Sequence, residues 1–229
     1  MRYNEITQEA ETKTPESKQI VSTLKKAGYK ELGSGADATV WMKDAGTVIK
    51  IIMPHQDSDS TVAARIFHKF YDFVSQNQQY ENLPRFVKIG GEHYAKFNIG
   101  GKEYIQIAME QLYPIVEDGI QGDIVNVFSD GAAKKLSWKK VLNNLTNVDY
   151  LEQNASVTPK QAKELVEYIK RLGKIELAKL QILYQLMVVL YHTGRINKFG
   201  WDLHVGNVMR RKDGTMVITD PWFSYMGSK

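Results

Sequence analysis

The sequence predicts an α+β protein in two parts: a strand-rich N-terminal part, then a helix-rich C-terminal part ending in a small hairpin. Three observations carry this. Between Tyr29 and Met109 the apolar residues fall in short β-branched or aromatic runs punctuated by glycine turns, as strands do. From about Pro114 the period lengthens to that of helices, most clearly over Leu165, Val166, Ile169, Leu172, Ile175, Leu180, Leu183, Leu186, Met187 and Leu190. Finally, Val205 to Arg210 and Thr215 to Thr219 read as extended segments around the turn Lys212-Asp213-Gly214.

Taken in order, residues 1–28 form a polar tail and a first helix. Thr14-Pro15-Glu16 supplies an N-cap, a first-turn proline and a first-turn acid; Ile20, Val21 and Leu24 follow at helical spacing, and Gly28 closes the segment. The N-terminal lobe then spans 29–112. Its strands are Tyr29 to Leu32, Thr39 to Met42, and the β-branched run Thr47 to Ile52, with a turn at Lys43-Asp44-Ala45-Gly46. Asp59 or Ser60 caps a helix whose apolar positions include Val62, Ile66, Phe70, Phe73 and Val74. Phe86 to Ile89 is a further strand, and a hairpin at Gly100-Gly101 leads into Tyr104 to Met109. The C-terminal lobe is 113–229, with weakly patterned helices near 119–129 and 135–145. Thr158-Pro159 opens the long periodic stretch, which Gly173 divides in two.

Composition narrows the function. The chain has 229 residues, 43% hydrophobic and 24% charged, which is the make-up of a folded globular protein and not of a disordered one. With zero cysteines, disulfide frameworks, zinc ribbons and thiol catalysis are excluded. No apolar run approaches the ~18 residues of a membrane span. The first residues have no apolar core of a signal peptide, so a cytoplasmic location and no membrane partner are expected. The formal charge is +4, unevenly spread: residues 1–150 hold 18 Lys/Arg against 19 Asp/Glu, and residues 151–229 hold 12 against 7. An ordinary solvated surface accounts for that excess, and nucleic-acid binding is not indicated.

Three stretches carry candidate chemistry. In Leu32-Gly33-Ser34-Gly35-Ala36-Asp37-Ala38-Thr39-Val40, two glycines between strands allow close backbone approach to a ligand, and inward amides bind phosphate. A plain hairpin turn explains the same pair. No helix follows, which sets aside the Rossmann and P-loop readings. In Val48-Ile49-Lys50, a lysine among β-branched residues needs a partner, because an unpaired buried charge is costly; a phosphate under the glycine loop would serve, as would water at the strand end. The third stretch is Trp201-Asp202-Leu203-His204-Val205-Gly206-Asn207 with Val217-Ile218-Thr219-Asp220-Pro221-Trp222. Two aspartates and an asparagine lie at the ends of short apolar strands. Hard oxygens of this kind suit Mg²⁺, which takes one or two carboxylates plus substrate phosphates.

In order and interval these stretches resemble a protein-kinase-like phosphotransferase. Gly33-x-Gly35-x-x-Ala38-x-Val40 is similar to the kinase glycine loop, with alanine for the third glycine, and Val48-Ile49-Lys50 resembles the third-strand lysine motif. Met109-Glu110-Gln111-Leu112 looks like the gatekeeper and hinge. Asp202 and Asn207, five residues apart, match the catalytic-loop spacing, and Asp220, thirteen further on, sits where the metal-binding aspartate belongs. Leu190 to Ile196 resembles the helix end before such loops. Asp-Leu-His-Val-Gly-Asn and Ile-Thr-Asp-Pro-Trp resemble two groups within that superfamily: the small early serine/threonine kinase of podovirus bacteriophages, which the resemblance favours, and the aminoglycoside phosphotransferases.

The resemblance implies a bilobal kinase-like fold with a truncated helical C-lobe, and ATP and Mg²⁺ as cofactors. It implies that Gly33, Ser34, Gly35, Ala36 and Val40 cover the nucleotide, that Met109, Glu110 and Leu112 hold adenine, and that Lys50 contacts the α and β phosphates. Asn207 and Asp220 would hold the metal, and Asp202 would accept or orient the proton of the attacking hydroxyl. The expected partner is a protein substrate, from a host if the chain is phage-encoded. Departures are also visible. The helix after the lysine strand offers Asp72 but no glutamate, Gly200 and Trp201 replace the histidine and arginine before the catalytic aspartate, and Pro221-Trp222 replaces Phe-Gly. The sequence runs nine residues past Asp220, leaving 119–157 as the stretch to substitute for an activation segment. These departures keep two alternatives open: a pseudokinase that binds or inhibits a host protein, and a small-molecule kinase. His204, Trp201 and Trp222 read as structural rather than substrate-touching, and Arg210-Arg211-Lys212 as a basic hairpin tip.

Overall fold

A computed structural model describes residues 15–34, 38–42, 44, 46–52, 60–88, 91–92, 94–116, 119–154 and 157–223, with the side chains of 17, 34, 60–64 and 102 left out; statements below concern that set. Gly35 and Ala36 of the glycine loop, Thr14, Asp59 and Ile89 lie outside it. The chain divides into two compact units, Met1–Gln76 with Pro84–Gln111, and Asn77–Leu83 with Leu112–Lys229.

The first unit is built on an antiparallel sheet of β1 (Lys30–Ser34), β2 (Ala38–Met42), β3 (Thr47–Ile52), β4 (Phe86–Val87), β5 (Tyr94–Ile99) and β6 (Lys102–Glu110). The order is β1-β2-β3-β6-β4, with β5 also paired to β6. Strand β3 is central and β-branched, and its consecutive buried residues Val48-Ile49 and Ile51-Ile52 show that the sheet is covered on both faces. On one face Ile49, Ile51 and Tyr104 pack with Ile20 and Leu24 of helix α1 (Pro15–Lys26). On the other, Ile52, Ile105 and Ile107 pack with Phe67 of α2 (Ser60–Gln76) and with Phe86 and Tyr94. The hairpin at Gly100 and Gly101 forms as the sequence indicates, both glycines having positive φ (58° and 77°). The strand expected from Phe86 to Ile89 is shorter, Phe86–Val87.

The second unit is mainly helical: α3 (Ile120–Ala133), α4 (Trp138–Leu145), α5 (Val148–Asn154), α6 (Pro159–Arg171) and α7 (Lys174–Ile196). Thr158 and Gln161 form the capping box that the Thr-Pro start allows, and Gly173 is the N-cap of α7, so the periodic stretch does divide there. The core gathers Phe128, Leu145, Leu151, Leu165, Leu183, Leu186 and Met187, all under 2% exposed. Around it Phe128, Trp138 and Tyr184 interlock at 5.4 to 6.0 Å, and the Tyr184 hydroxyl donates to the carbonyl of Leu136 at 2.6 Å. Burial raises the Tyr184 phenol above its ordinary pKa. One member of the sequence pattern departs from the core: Ile175 is 71% exposed, on a second apolar stripe of α7 that points outward. Among the described residues no helix is long and apolar enough to cross a membrane.

Beside the helices lie two small sheets. β7 (Tyr113–Pro114), β8 (Gly200–Trp201), β9 (Val208–Arg210), β10 (Met216–Ile218) and β11 (Trp222–Phe223) pair as β10-β9-β7 and β11-β8. Residues 77–83 complete the first of these. Asn82 Nδ2 donates to the carbonyl of Met216, and the Ile218 amide donates to the carbonyl of Asn82. Arg211 donates to the carbonyls of Glu81 and Leu83, so the supposed basic hairpin tip is in part a structural strut.

The described elements run in the order of a six-stranded antiparallel sheet with a helix after its third strand, then helices, a short loop and a hairpin. The fold is α+β.

Candidate functional site: two sets of side chains

In the second unit the chemistry-bearing residues are brought together by loops. Helix α7 ends in a turn in which the Phe199 amide donates to Gly194 and the Lys198 amide to Arg195, with Lys198 left-handed (φ 60°). That turn sends the chain into β8, which pairs Trp201 with Trp222 and Gly200 with Phe223. At Gly200 a Cβ would stand 2.2 Å from the Phe223 ring, which accounts for glycine at that position. The pairing continues one step, with the Asp202 amide donating to the carbonyl of Pro221 at 3.0 Å.

The next residues form a single tight turn where the sequence pattern indicated a strand from Val205. His204 Nδ1 accepts from the Gly206 amide at 3.1 Å, and the Asn207 amide donates to the His204 carbonyl, winding Val205–Asn207 into one 3₁₀ turn before β9 starts. This brings Asn207 back over Asp202. Asn207 Nδ2 donates to the Asp202 carbonyl at 2.6 Å and to its Oδ2 at 3.2 Å. The amide nitrogen is thus committed, and Oδ1 is left as the hard donor of that side chain.

Asp220 is placed from both sides. On one, Thr219 donates its amide (2.9 Å) and its hydroxyl (3.1 Å) to the Asn207 carbonyl. On the other, Pro221 accepts from Asp202. Asp202, Asn207 and Asp220 are all half-buried, open enough to meet a ligand. Among the described residues no three His, Cys, Asp or Glu side chains gather, so a cation here would rely on one amide oxygen, one carboxylate and oxygens from elsewhere. That set fits Mg²⁺, which tolerates few protein ligands.

Supporting residues hold these loops, and one of them, Ser129, carries no sequence motif. Ser129, on α3, donates to the Leu203 carbonyl at 2.6 Å and accepts from Trp201 Nε1 at 3.0 Å, anchoring the loop from beneath. Trp222 is 3% exposed and donates to the Leu190 carbonyl. Gly194 gives it room, since a Cβ there would lie 2.6 Å from its Nε1. Thr219 is the remaining member; its place directly before Asp220 was the one available signal. Trp201 and Trp222 each donate an indole hydrogen bond within the unit, and His204, an exposed residue, accepts from the Gly206 amide.

In the first unit the candidates share a sheet face. Lys50 stands opposite Val40 on one side and Ile107 on the other. Directly paired residues project to the same face, so Val40, Lys50 and Ile107 lie side by side, and Met109, two further along, joins them. Lys50 is half-buried in the central strand. Met109 is 9% exposed and Glu110 half-buried, its Oε1 accepting from the Arg85 amide at 2.9 Å. Gly33 pairs with Val40 at a register shift in β1, and Ser34 ends that strand. Asp72, the acid of α2, is exposed. Leu112, 8% exposed, belongs to the second unit.

A cavity of about 200 Å³ in the second unit, lined by Asn82, Ile124, Leu180 and Met216 among others, contains none of these residues.

No protein-family model matches the chain, and no curated protein matches it. Among solved structures it is similar to one described as the streptomycin-ATP-APH(2")-IIa ternary complex, with 12% identity, a TM-score of 0.34, and coverage of 91% of this chain and 71% of that one. The α+β class rests on the strands and helices themselves.

Proposed function

We propose that this chain is an ATP-dependent phosphotransferase that moves a phosphoryl group to a hydroxyl. The observation that supports it most is the Asp202–Asn207–Thr219 network. There Asn207 commits its amide nitrogen to Asp202, which leaves its amide oxygen as a hard donor beside a carboxylate. In this reading Asp202 takes or orients the proton of the acceptor hydroxyl, a role needing a carboxylate within hydrogen-bond reach. Asn207 Oδ1 and Asp220 would hold Mg²⁺, which when bound neutralises charge on the β and γ phosphate oxygens. Lys50 would pair with the α and β phosphates, and Val40 and Met109 would give the base an apolar wall. The hinge residues Glu110 and Leu112 and the loop from Gly33 through Ala36 would complete nucleotide binding.

The acceptor we favour is a serine or threonine hydroxyl of a protein, in a cytoplasmic setting. A small-molecule hydroxyl is the second reading. It draws on the Asp-Leu-His-Val-Gly-Asn run, which resembles the aminoglycoside phosphotransferases, the class of the structural neighbour. The basic balance of residues 151–229 weighs against a cationic substrate.

The experiment is transfer from γ-labelled ATP to the chain itself, to a protein mixture and to an aminoglycoside panel. Asp202→Ala is expected to cut transfer by about 10³-fold or more while leaving the melting temperature within a few degrees, and Asp220→Ala likewise. Which acceptor takes label decides between the two readings. Transfer undiminished in both variants would remove the assigned residues. Absence of label on every acceptor, with biological activity surviving Asp202→Asn, would instead support a binding module.

A further inference from the structure

A serine within a helix ordinarily turns its hydroxyl to water or back to the carbonyl four residues earlier. Ser129, in α3, directs its hydroxyl to another segment. Its Oγ donates to the Leu203 carbonyl at 2.6 Å and accepts from Trp201 Nε1 at 3.0 Å. The groups themselves force these directions. An indole nitrogen only donates and a carbonyl only accepts, so one hydroxyl serves both through its single proton and a lone pair. Linked hydrogen bonds of this kind strengthen one another. The two residues held are those on either side of Asp202.

We infer that Ser129 is a positioning residue for the phosphoryl transfer, setting the Asp202 carboxylate through its two neighbours; this rests on the function proposed above. Other ties on that stretch run from loop to loop. The Asp202 amide donates to the Pro221 carbonyl, the Asp202 carbonyl accepts from Asn207 Nδ2, and the Asn207 amide donates to the His204 carbonyl. Such bonds fix the loops to one another, not to the body of the unit. Asp220 has a helix anchor in Trp222, which donates to the Leu190 carbonyl of α7. Ser129 is the corresponding anchor for Asp202.

The anchor stands on a firm element. Val125, Phe128 and Ala132 of α3 are fully buried, and Phe128 meets Trp138 and Tyr184 edge-on. Trp201 is steadied in turn by Tyr191 of α7, with ring centroids 5.5 Å apart and planes nearly perpendicular. A reacting group keeps its geometry when the residues that support it are locked by packing in this way. Without the hydroxyl, the Leu203 carbonyl and the Trp201 indole lose their partner together. The loop then shifts to recover hydrogen bonds, and a displacement of about 1 Å at a reacting group costs roughly 100-fold in rate.

The test compares Ser129→Ala with Tyr184→Phe in the full chain. Each variant removes a hydroxyl that donates to a backbone carbonyl at 2.6 Å, but the Tyr184 partner is Leu136, between α3 and α4 and outside the stretch 201–220. With γ-labelled ATP and the acceptor that takes label, Ser129→Ala should lower kcat by about 10- to 100-fold and leave the KM for ATP within about twofold. Tyr184→Phe should lower the melting temperature and leave kcat within about twofold. Ser129→Thr, which keeps the hydroxyl, should retain most of the wild-type kcat. Hydrogen exchange supplies a reading that needs no turnover. The Asp202 and Asn207 amides, both hydrogen-bonded, should exchange about tenfold faster or more in Ser129→Ala, and at the wild-type rate in Tyr184→Phe. A wild type that labels no acceptor removes the phosphotransfer reading; the exchange contrast then upholds or overturns the hold of Ser129 on Asp202 by itself. A wild-type kcat in Ser129→Ala, or an equal loss of kcat in Tyr184→Phe, overturns the proposal. Weaker ATP binding in Ser129→Ala with kcat intact does so too.

Discussion

The two units place their candidate side chains by different physical means. In the first, strand register does it: Val40, Lys50, Ile107 and Met109 share a face because β2, β3 and β6 are hydrogen-bonded in one register. A slip of one residue would turn all of them over. In the second, contacts between short loops do it. Asp202 and Asp220 are eighteen residues apart in sequence, and their neighbours are tied by a two-residue strand pair and by Thr219 on Asn207. Sheet placement is redundant, since many ladder bonds enforce one outcome. Loop placement depends on a few bonds, each separately breakable. The first unit should therefore respond to core volume, and the second to individual small residues.

The largest stability effect is expected in the sheet. Ile107 is fully buried beside Lys50, and Ile107→Ala should cost about 2–5 kcal/mol, read as a lower denaturant midpoint. A loss under ~1 kcal/mol would mean that the sheet face is looser than its packing indicates. Next comes Gly194→Ala. In an open helix this change gains about 1 kcal/mol. Here the added methyl meets a buried, hydrogen-bonded Trp222 that has nowhere to go, so a net loss of about 1–3 kcal/mol is expected. Such a loss would show that the β8–β11 pair is built against α7.

A smaller effect of opposite sign is expected at Lys198. Its left-handed backbone costs a non-glycine residue about 1–2 kcal/mol, so Lys198→Gly should raise stability by up to about 1 kcal/mol, once the greater freedom of unfolded glycine is counted. Thermal unfolding would detect it, and a decrease would imply that the Lys198 side chain contributes more than its backbone costs.

The smallest effect is a pH dependence in the first unit. His68 packs edge-on against Tyr94 at 5.1 Å. Burial, aided by Lys96, lowers its pKa below the ordinary 6.5, while Asp72 and Glu103 act the other way. A histidine held neutral contributes stability above pH 6.5, and that contribution is lost as pH falls from there through the folded value. The melting temperature should drop by a few degrees at most between pH 7 and 5.5, and less in His68→Gln. An equal drop in that variant would place the titration elsewhere.

Much of this was legible along the chain. The strand Thr47–Ile52, the Gly100-Gly101 hairpin, the Thr158 cap and the break at Gly173 are local features, written in β-branching, positive φ and side-chain caps. The run from Asp202 to Asp220 was legible as well, because its residues are spaced by one turn and one hairpin. Ser129 was not: a serine within a helix carries no mark until the Leu203 carbonyl is above it. Nor was the assignment of residues 77–83 to the second unit, which depends on Asn82 meeting Met216 and Ile218 from 134 and 136 residues away. Ile175 fitted the apolar period of its helix, and yet it faces outward. Periodicity says that a residue is apolar and on a face, not which face a neighbour covers.

The sequence by itself determined the α+β class, the order of elements and the chemistry-bearing side chains, because propensity, capping and turn geometry act over a few residues. Only tertiary structure decided that Asn207 turns its amide nitrogen onto Asp202, that Thr219 clamps it, and which stripe of α7 is buried. Those outcomes depend on groups far apart in the chain, and no local preference favours one over another until packing brings them together.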